Sequence, residues 1–141
     1  MKKEKILVSA CLLGNNCKYD GTNNLNEKVI EYLKGKDYKL ICPERLAGLP
    51  VPRMKMEMLK GNLIRCDGKI LNEEMEISKQ KIQKIIDEYH PTQAILKSKS
   101  PSCGYQKIYD GTFTKSIIDG NGYACELLLK QGIKVLTEND L

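Results

Sequence analysis

Tryptophan is absent from this sequence of 141 residues, and phenylalanine occurs only once. A hydrophobic core must therefore be filled by aliphatic side chains and by the seven tyrosines. No apolar stretch is long enough to span a membrane. The basic segment Met1–Lys5 is followed by only a brief apolar run, Ile6–Val8, which is too short for a signal peptide. The sequence also lacks linkers, repeats and low-complexity segments, so we expect a single cytoplasmic domain over residues 1–141, without a membrane partner.

The charge is mildly positive, with 23 basic and 18 acidic residues giving a net charge of +5. There is no basic block and no repeat of aromatic and basic residues of the kind that marks nucleic-acid-binding proteins. Lys79, Lys81 and Lys84 fall on one predicted helix, where a solvated face accounts for them. DNA is therefore not an expected partner. An RNA partner such as tRNA is compatible with the charge but is not required by it.

Short apolar runs alternate with amphipathic segments along most of the chain. The pattern predicts strands at 6–8, 38–41, 93–97 and 133–136, and helices at 26–34, 73–89 and 122–131. Strand–helix–strand units of this length are right-handed and have parallel strands. The predicted fold class is therefore α/β: a single three-layer, Rossmann-like domain with a mostly parallel sheet and short hairpin insertions.

The insertions are predicted from turn signals. Asp67–Gly68, within residues 62–71, and Asp110–Gly111 each predict the turn of a β-hairpin. The segment CPERLAGLPVPR at 42–53 contains three prolines and a glycine, which argues against a regular helix or a central strand. Methionines at positions 54, 56 and 58 alternate with charged residues, which indicates an extended segment with one apolar side.

Three of the six cysteines follow predicted strands. Cys11, Cys42 and Cys103 each come shortly after an apolar run, and the carboxyl ends of parallel strands share one edge of a sheet. Cysteines of a cytoplasmic protein are expected to be reduced, which disfavours a disulfide framework. Three thiolates suit zinc or an iron–sulfur cluster. Three protein ligands would leave one metal position open, as in a catalytic centre.

The remaining candidate ligands are weaker. His90 is the single histidine, and it precedes a strand, so it is expected at the opposite edge of the sheet. Cys17 is either a fourth thiolate or a nearby thiol that is not a ligand. Cys66, at a predicted turn, and Cys125, on the last helix, are expected to be structural or incidental.

Carboxylate and hydroxyl groups accompany the cysteines. Glu44 lies two residues after Cys42, and Ser98, Ser100 and Ser102 precede Cys103. Near an open metal position, such groups can orient and deprotonate a water molecule. Alternatively, Glu44 pairs with an arginine, either Arg45 or Arg53, and the serines cap a turn. The spacing leaves both interpretations open.

Four motifs together resemble the TudS-type thiouracil desulfurases. They are SACLLGNNCKYDG at 9–21, CPERLAGLPVPR at 42–53, KSKSPSCG at 97–104 and YDGTF at 109–113. The motifs occur in the order found in that family, and the resemblance extends over most of the chain. Two mild departures are Lys18, where arginine is usual, and Ala47, where a double glycine is common.

The resemblance implies an oxygen-sensitive 4Fe–4S cluster held by Cys11, Cys42 and Cys103, with one iron not ligated by the protein; zinc is the less favoured alternative. It implies a non-redox, hydrolytic desulfuration of a thiolated base, either thiouracil or a thiouridine derivative, to the oxo form with release of sulfide. The acid–base and hydroxyl positions of the family fall on Glu44 and Ser100. A free base, a nucleotide and a tRNA residue all remain open as substrates.

Candidate substrate contacts are Ser9, Asn15, Ser98 and Ser102. Backbone amides at 14–16 are candidate donors to a phosphate or carbonyl, although no complete phosphate-loop pattern is present. The main alternative to an enzyme is an iron–sulfur or zinc module that acts as a redox or metal sensor. That alternative predicts full coordination of the metal, with Cys17 as a fourth ligand, and loss of folding without metal.

Overall fold

The structure is a computed structural model that describes residues 4–141; the first three residues of the basic segment Met1–Lys5 lie outside the described part. Within residues 4–141, no helix has the length and apolar character needed to cross a membrane. In chain order the strands and helices are β1 (Lys5–Ser9), α1 (Glu27–Leu33), β2 (Asp37–Ile41), α2 (Pro43–Leu46), β3 (Met56–Leu59), β4 (Asn62–Arg65), α3 (Asn72–Tyr89), β5 (Gln93–Leu96), β6 (Lys107–Tyr109), β7 (Ile117–Asp119), α4 (Tyr123–Lys130) and β8 (Lys134–Thr137).

The central sheet contains four strands in the order β2-β1-β5-β8, and every neighbouring pair is parallel. Successive side chains of a strand point to opposite faces, so each central strand contributes to two layers of core. On one face, Ile6, Val8 and Ile95 pack against α1. On the other face, Leu7, Ala94 and Leu96 pack with buried residues of α3 and α4. The predicted three-layer α/β fold with a mostly parallel sheet and hairpin insertions is confirmed.

Helix α1 begins as its sequence predicts. The Asn26 side chain accepts hydrogen bonds from the N–H groups of Lys28 (3.0 Å) and Val29 (3.2 Å), which satisfies two otherwise free donors. Val29 and Leu33 are buried. Ile30 is exposed, although its spacing from Leu33 would allow both to share one apolar face, because only the side of the helix toward the sheet is covered.

Helix α3 ends at Tyr89, as predicted, and His90 follows in a left-handed conformation. The N–H of His90 donates to the carbonyl of Ile86, at 2.9 Å. The chain then returns to the amino edge of the sheet, where the Thr92 N–H donates to the carbonyl of Lys5 at 2.8 Å. His90 therefore lies at the edge opposite the cysteines, as predicted.

The segment 42–53 contains one helical turn, which its prolines argued against. Helix α2 is a single turn with Pro43 at its first position. Proline is tolerated there because the N–H that it lacks would have had no partner inside the helix. The expectation of an entirely irregular loop is therefore wrong for Pro43–Leu46.

The first hairpin has a different partner from the one predicted. Strand β4 pairs with β3 around a turn at Lys60 and Gly61, both of which have positive φ values. The expected turn at Asp67–Gly68 is present but supports only one isolated bridge, Ile64 to Ile70. The buried pair of Met58 and Leu63 fixes the observed register.

The second hairpin lies where it was predicted, but its connection is wider. Strands β6 and β7 pair antiparallel, with Tyr109 opposite Ile117. Phe113 is therefore not in a strand but in the loop between them.

Candidate functional site

A cavity of about 490 Å³ opens at the carboxyl edge of the parallel sheet. Cys11, Cys42 and Cys103 all line it, because each follows a different strand of the sheet. Cys11 lies in a short 3₁₀ turn after β1, Cys42 is the residue before α2, and Cys103 follows β5. The volume lies in the ordinary range for small-molecule sites. The predicted convergence of these cysteines at one sheet edge is therefore present.

The Cys103 loop is fixed by the N-terminus of α4. The N–H groups of Tyr123 and Ala124 have no partner inside the helix and donate to the carbonyls of Pro101 (3.2 Å) and Ser102 (2.8 Å). Gly122 permits this approach, since a Cβ atom there would lie 2.5 Å from the Ser102 carbonyl oxygen.

All six cysteines are free thiols. The Asn24 side-chain amide donates to Cys11 Sγ at 3.4 Å, and the Asn24 N–H donates to the Cys11 carbonyl at 2.9 Å. Cys17 is buried, and its thiol neighbours those of Cys11 and Cys42. The Cys17 hydrogen bond lowers the pKa of Cys11 to about 7 against the opposing effect of burial, and it also lowers the pKa of Cys42. Cys17 thus lies beside two of the predicted ligands.

Cys103 is in a different environment. Burial raises the pKa of its thiol, while hydrogen bonds from Ser9 and Ser102 act in the opposite direction. The Ser102 hydroxyl lies 3.7 Å from Cys103 Sγ. The Ser9 hydroxyl also accepts a hydrogen bond from the Lys97 N–H at 2.9 Å, which joins the end of β1 to the start of the Cys103 loop.

The Glu44 carboxylate also lines the cavity, and its two oxygens have different partners. Oε2 accepts a hydrogen bond from Arg53 Nη2 at 3.0 Å, and Oε1 accepts one from the Ser102 hydroxyl at 3.3 Å. Burial raises the pKa of Glu44, and Arg53 and Ser102 partly oppose that shift. The same guanidinium donates to the carbonyls of Cys17 (3.0 Å) and Pro50 (3.2 Å). Glu44 therefore pairs with Arg53, one of the two arginines considered, and also belongs to a hydroxyl network.

The serines complete that network. The Ser100 hydroxyl lies 3.0 Å from the Ser102 hydroxyl and accepts hydrogen bonds from the N–H groups of Ser102 (3.2 Å) and Cys103 (3.1 Å). Ser100, Ser102 and Glu44 therefore form a continuous chain of polar oxygens beside the cysteines. Ser98 is held apart from this chain, because its N–H and hydroxyl donate to the Glu138 carboxylate at 2.8 and 3.1 Å.

Asn15 is the one candidate that the structure does not bring to the cavity. It is exposed and absent from the cavity lining. The Gly14 N–H donates to the carbonyl of Cys11 and the Asn15 N–H to the carbonyl of Ala10, both at 3.3 Å. These two amides are therefore used within the turn, unlike the free donors that were expected at 14–16.

Several cavity residues were not predicted. Asn24 and Glu57 line the wall, together with the aromatic residues Tyr19, Tyr109 and Phe113. The motifs at 9–21 and 109–113 contain these aromatic residues, but no pattern in the sequence assigned the three side chains to the site. No pattern pointed to Asn24 or Glu57 either.

The cysteine set does not form a site for a single metal ion. Among residues 4–141, no three His, Cys, Asp or Glu side chains are grouped so as to hold a metal ion. The three predicted ligands all line the cavity. An iron–sulfur cluster is wider than a single ion and is held by cysteine thiolates on different irons, so three thiols from different strand ends are donors of the type that such a cluster uses. The buried Nε of Arg53, which has no partner among the described residues, marks a polar wall beside them.

Comparisons with known proteins agree with this chemistry. The model of a family described as 2-thiouracil desulfurase matches residues 6–140. YbbK, an uncharacterized protein of Bacillus subtilis (strain 168), is 34% identical over 146 residues, which cover 96% of this chain and 97% of YbbK. The solved structure of TudS, a 4Fe–4S-dependent thiouracil desulfidase, is similar with a TM-score of 0.90 and 34% identity, covering 99% of this chain and 93% of TudS. The chain therefore belongs to the 2-thiouracil desulfurase family and is an enzyme of that family, as its motifs predicted.

Proposed function

We propose that this protein uses a 4Fe–4S cluster to remove sulfur from a thiolated nucleobase, either thiouracil or a thiouridine derivative. In the reaction, water and the C=S group are converted to C=O and hydrogen sulfide, with no net oxidation or reduction. The observation that carries the proposal is one cavity lined both by three cysteines from three strand ends and by the polar chain of Glu44, Ser102 and Ser100.

Cys11, Cys42 and Cys103 are the proposed cluster ligands, which leaves one iron without a protein ligand. When bound, such a cluster supplies a Lewis acid that polarises the thiocarbonyl group and stabilises departing sulfide. Cys17 is proposed to stay outside the ligand set, because it lies in the same loop as Cys11 and does not follow a strand of its own. Zinc remains the less favoured alternative.

Glu44 is the proposed general base. Its burial raises its pKa, which makes the carboxylate a stronger base for taking a proton from water. Arg53 holds one carboxylate oxygen, so the other stays directed toward Ser102. Ser100 is proposed to orient the water or the base carbonyl through this hydroxyl pair.

The cavity wall supports a small planar substrate. Tyr19, Tyr109 and Phe113 provide flat apolar faces for a pyrimidine ring. Ser9 and Ser98 also line the cavity and are proposed substrate contacts, together with Ser102. The proposed substrate is a small thiolated base or nucleotide; the mild net charge gives a tRNA substrate only weak support.

The test uses protein purified without oxygen. We expect about four irons and four acid-labile sulfides per chain, followed by loss of thiouracil absorbance and release of sulfide when 4-thiouracil or 2-thiouracil is added. Glu44→Gln should keep the iron and lower turnover by roughly 10²- to 10⁴-fold, the usual contribution of a general base. Zinc without inorganic sulfide, or normal turnover by Glu44→Gln, would contradict the proposal.

The sensor alternative rests on the position of Cys17 beside Cys11 and Cys42, where a fourth thiolate would complete the coordination. Cys17→Ser separates the two functions, because serine removes the thiol with little change in volume. The enzyme proposal predicts that this variant retains iron and turnover, whereas the sensor predicts loss of iron and of folding.

A further inference from the structure

A second buried carboxylate lines the cavity and comes from the first hairpin instead of the parallel sheet. Glu57 is on β3 and is only 9% exposed. Its Oε1 accepts hydrogen bonds from the N–H groups of Gly111 (3.0 Å) and Phe113 (3.1 Å). Glu57 therefore connects the first hairpin to the loop between β6 and β7.

That loop has little freedom to move away from Glu57. Gly111 has φ +92°, and a Cβ atom there would lie 2.6 Å from Leu59 Cβ, so the loop main chain packs directly on β3. Phe113 has φ 59°, a backbone conformation that residues other than glycine rarely adopt. The bond from the Phe113 N–H to Glu57 holds this conformation and keeps the aromatic ring in the cavity wall.

The other oxygen of Glu57 has no such partner. Oε2 forms no hydrogen bond to any residue in 4–141, and Glu57 takes part in none of the ion pairs found there. Oε2 is also not completely buried. If it were, it would be a buried side-chain polar atom without a partner, and in the described part of the chain the one such atom is Arg53 Nε. Glu57 lines the cavity beside Phe113, so Oε2 is open to a ligand there.

We propose that Glu57 is a specificity-determining residue whose Oε2 accepts a hydrogen bond from a ring N–H of the thiolated base. The inference rests on the proposed function. A carboxylate oxygen only accepts hydrogen bonds, so it favours a ring that presents N–H and is left unpaired by a ring that lacks it. Sites of this kind reject the analogue without the donor far more strongly than apolar pockets reject a change in size.

Glu57→Gln is a matched test. Its side-chain oxygen can keep both backbone N–H groups, while its NH₂ group replaces the acceptor that faces the cavity. We expect unchanged thermal stability and cluster content, and a KM for 4-thiouracil that rises about 10- to 100-fold, the effect of losing a hydrogen bond to a charged group. Glu57→Ala, which also removes the loop contact, should lower the melting temperature.

The substrates are 4-thiouracil and its two ring-N-methylated forms. The wild type should discriminate against the isomer whose methyl group replaces the N–H that meets Glu57, and Glu57→Gln should lose that discrimination. The affinity for uracil, the oxo product, should also be lower for Glu57→Gln than for the wild type. Calorimetry measures this affinity and needs no turnover. If the wild type is active but Glu57→Gln keeps the same KM, discrimination and uracil affinity, the role of Glu57 is refuted. If the wild type desulfurates neither 4-thiouracil nor 2-thiouracil, the proposed function fails. The uracil affinities of the wild type and Glu57→Gln then still decide the role of Glu57.

Discussion

Replacement of Arg53 by methionine should destabilise the protein by about 3–5 kcal/mol, the cost of breaking a buried ion pair by removing one partner. The side chains of Arg53 and Glu44 are only 6% and 15% exposed, and their charged atoms are 3.0 Å apart. Methionine preserves much of the volume of the arginine stem but leaves the Glu44 carboxylate without its cation. An exposed ion pair would instead contribute about 1 kcal/mol or less.

A double-mutant cycle separates the contribution of the ion pair from that of the other hydrogen bonds of Arg53. Glu44→Gln combined with Arg53→Met removes both charges, so the loss should be smaller than after Arg53→Met alone. The double variant still lacks the guanidinium bonds to the carbonyls of Cys17 and Pro50, each of which contributes about 1 kcal/mol. We therefore expect partial recovery of the free energy of unfolding.

Urea unfolding of the four proteins at matched iron content measures these differences. Arg45→Met is the control, because Arg45 is exposed and forms no ion pair with the described residues; it should change the free energy of unfolding by no more than about 0.5 kcal/mol. If Arg53→Met costs less than about 1 kcal/mol, or if the double variant is no more stable than that single variant, the pair is not buried and coupled as described.

Three further predictions concern residues around the cavity. Gly122→Ala should lower both stability and iron content, measured by urea unfolding and iron analysis, because its Cβ would lie 2.4 Å from the main-chain carbon of Ser102; unchanged values would contradict that contact. Burial raises the pKa of Glu138, but its hydrogen bonds and the Lys97 ion pair outweigh burial and hold the pKa below 4.5. Its stabilisation is therefore complete above pH 4.5 and is lost as the pH falls through the folded-state pKa, so the difference in urea midpoint between wild type and Glu138→Gln should shrink in acid. Cys66 is exposed, so alkylation of the native protein should label it first, and Cys66→Ser should leave iron content and desulfuration unchanged.

The parallel sheet could be predicted because each central strand is a short apolar run separated from the next by an amphipathic helix. The β3–β4 hairpin could not, because Asp67–Gly68 is a stronger turn signal than Lys60–Gly61. The register depends on the burial of Met58 against Leu63, a contact decided by packing with α3 and the sheet. Local turn preference was thus overridden by tertiary burial.

The cysteine positions were predictable for a geometric reason. Parallel strands end at one edge, so residues that follow them come together however far apart they are in the sequence. Glu57 had no comparable signal, since its alternation with Met56 and Met58 indicates the solvent side of a strand. It is buried because the loop at 110–116 covers that side, a contact between segments far apart in the chain.

Glu44 shows how a structural role and a proposed chemical role can be compatible in one side chain. The sequence offered an ion pair and an acid–base role as alternatives, but in the structure Arg53 contacts Oε2 and Ser102 contacts Oε1, so the ion pair leaves the second oxygen available. An ion pair that occupied both oxygens would leave no acceptor for the hydroxyl chain. Because Arg53 takes one oxygen only, it fixes the carboxylate plane and leaves the second oxygen for Ser102 and, through it, Ser100. The stabilising contact therefore also orients the proposed base.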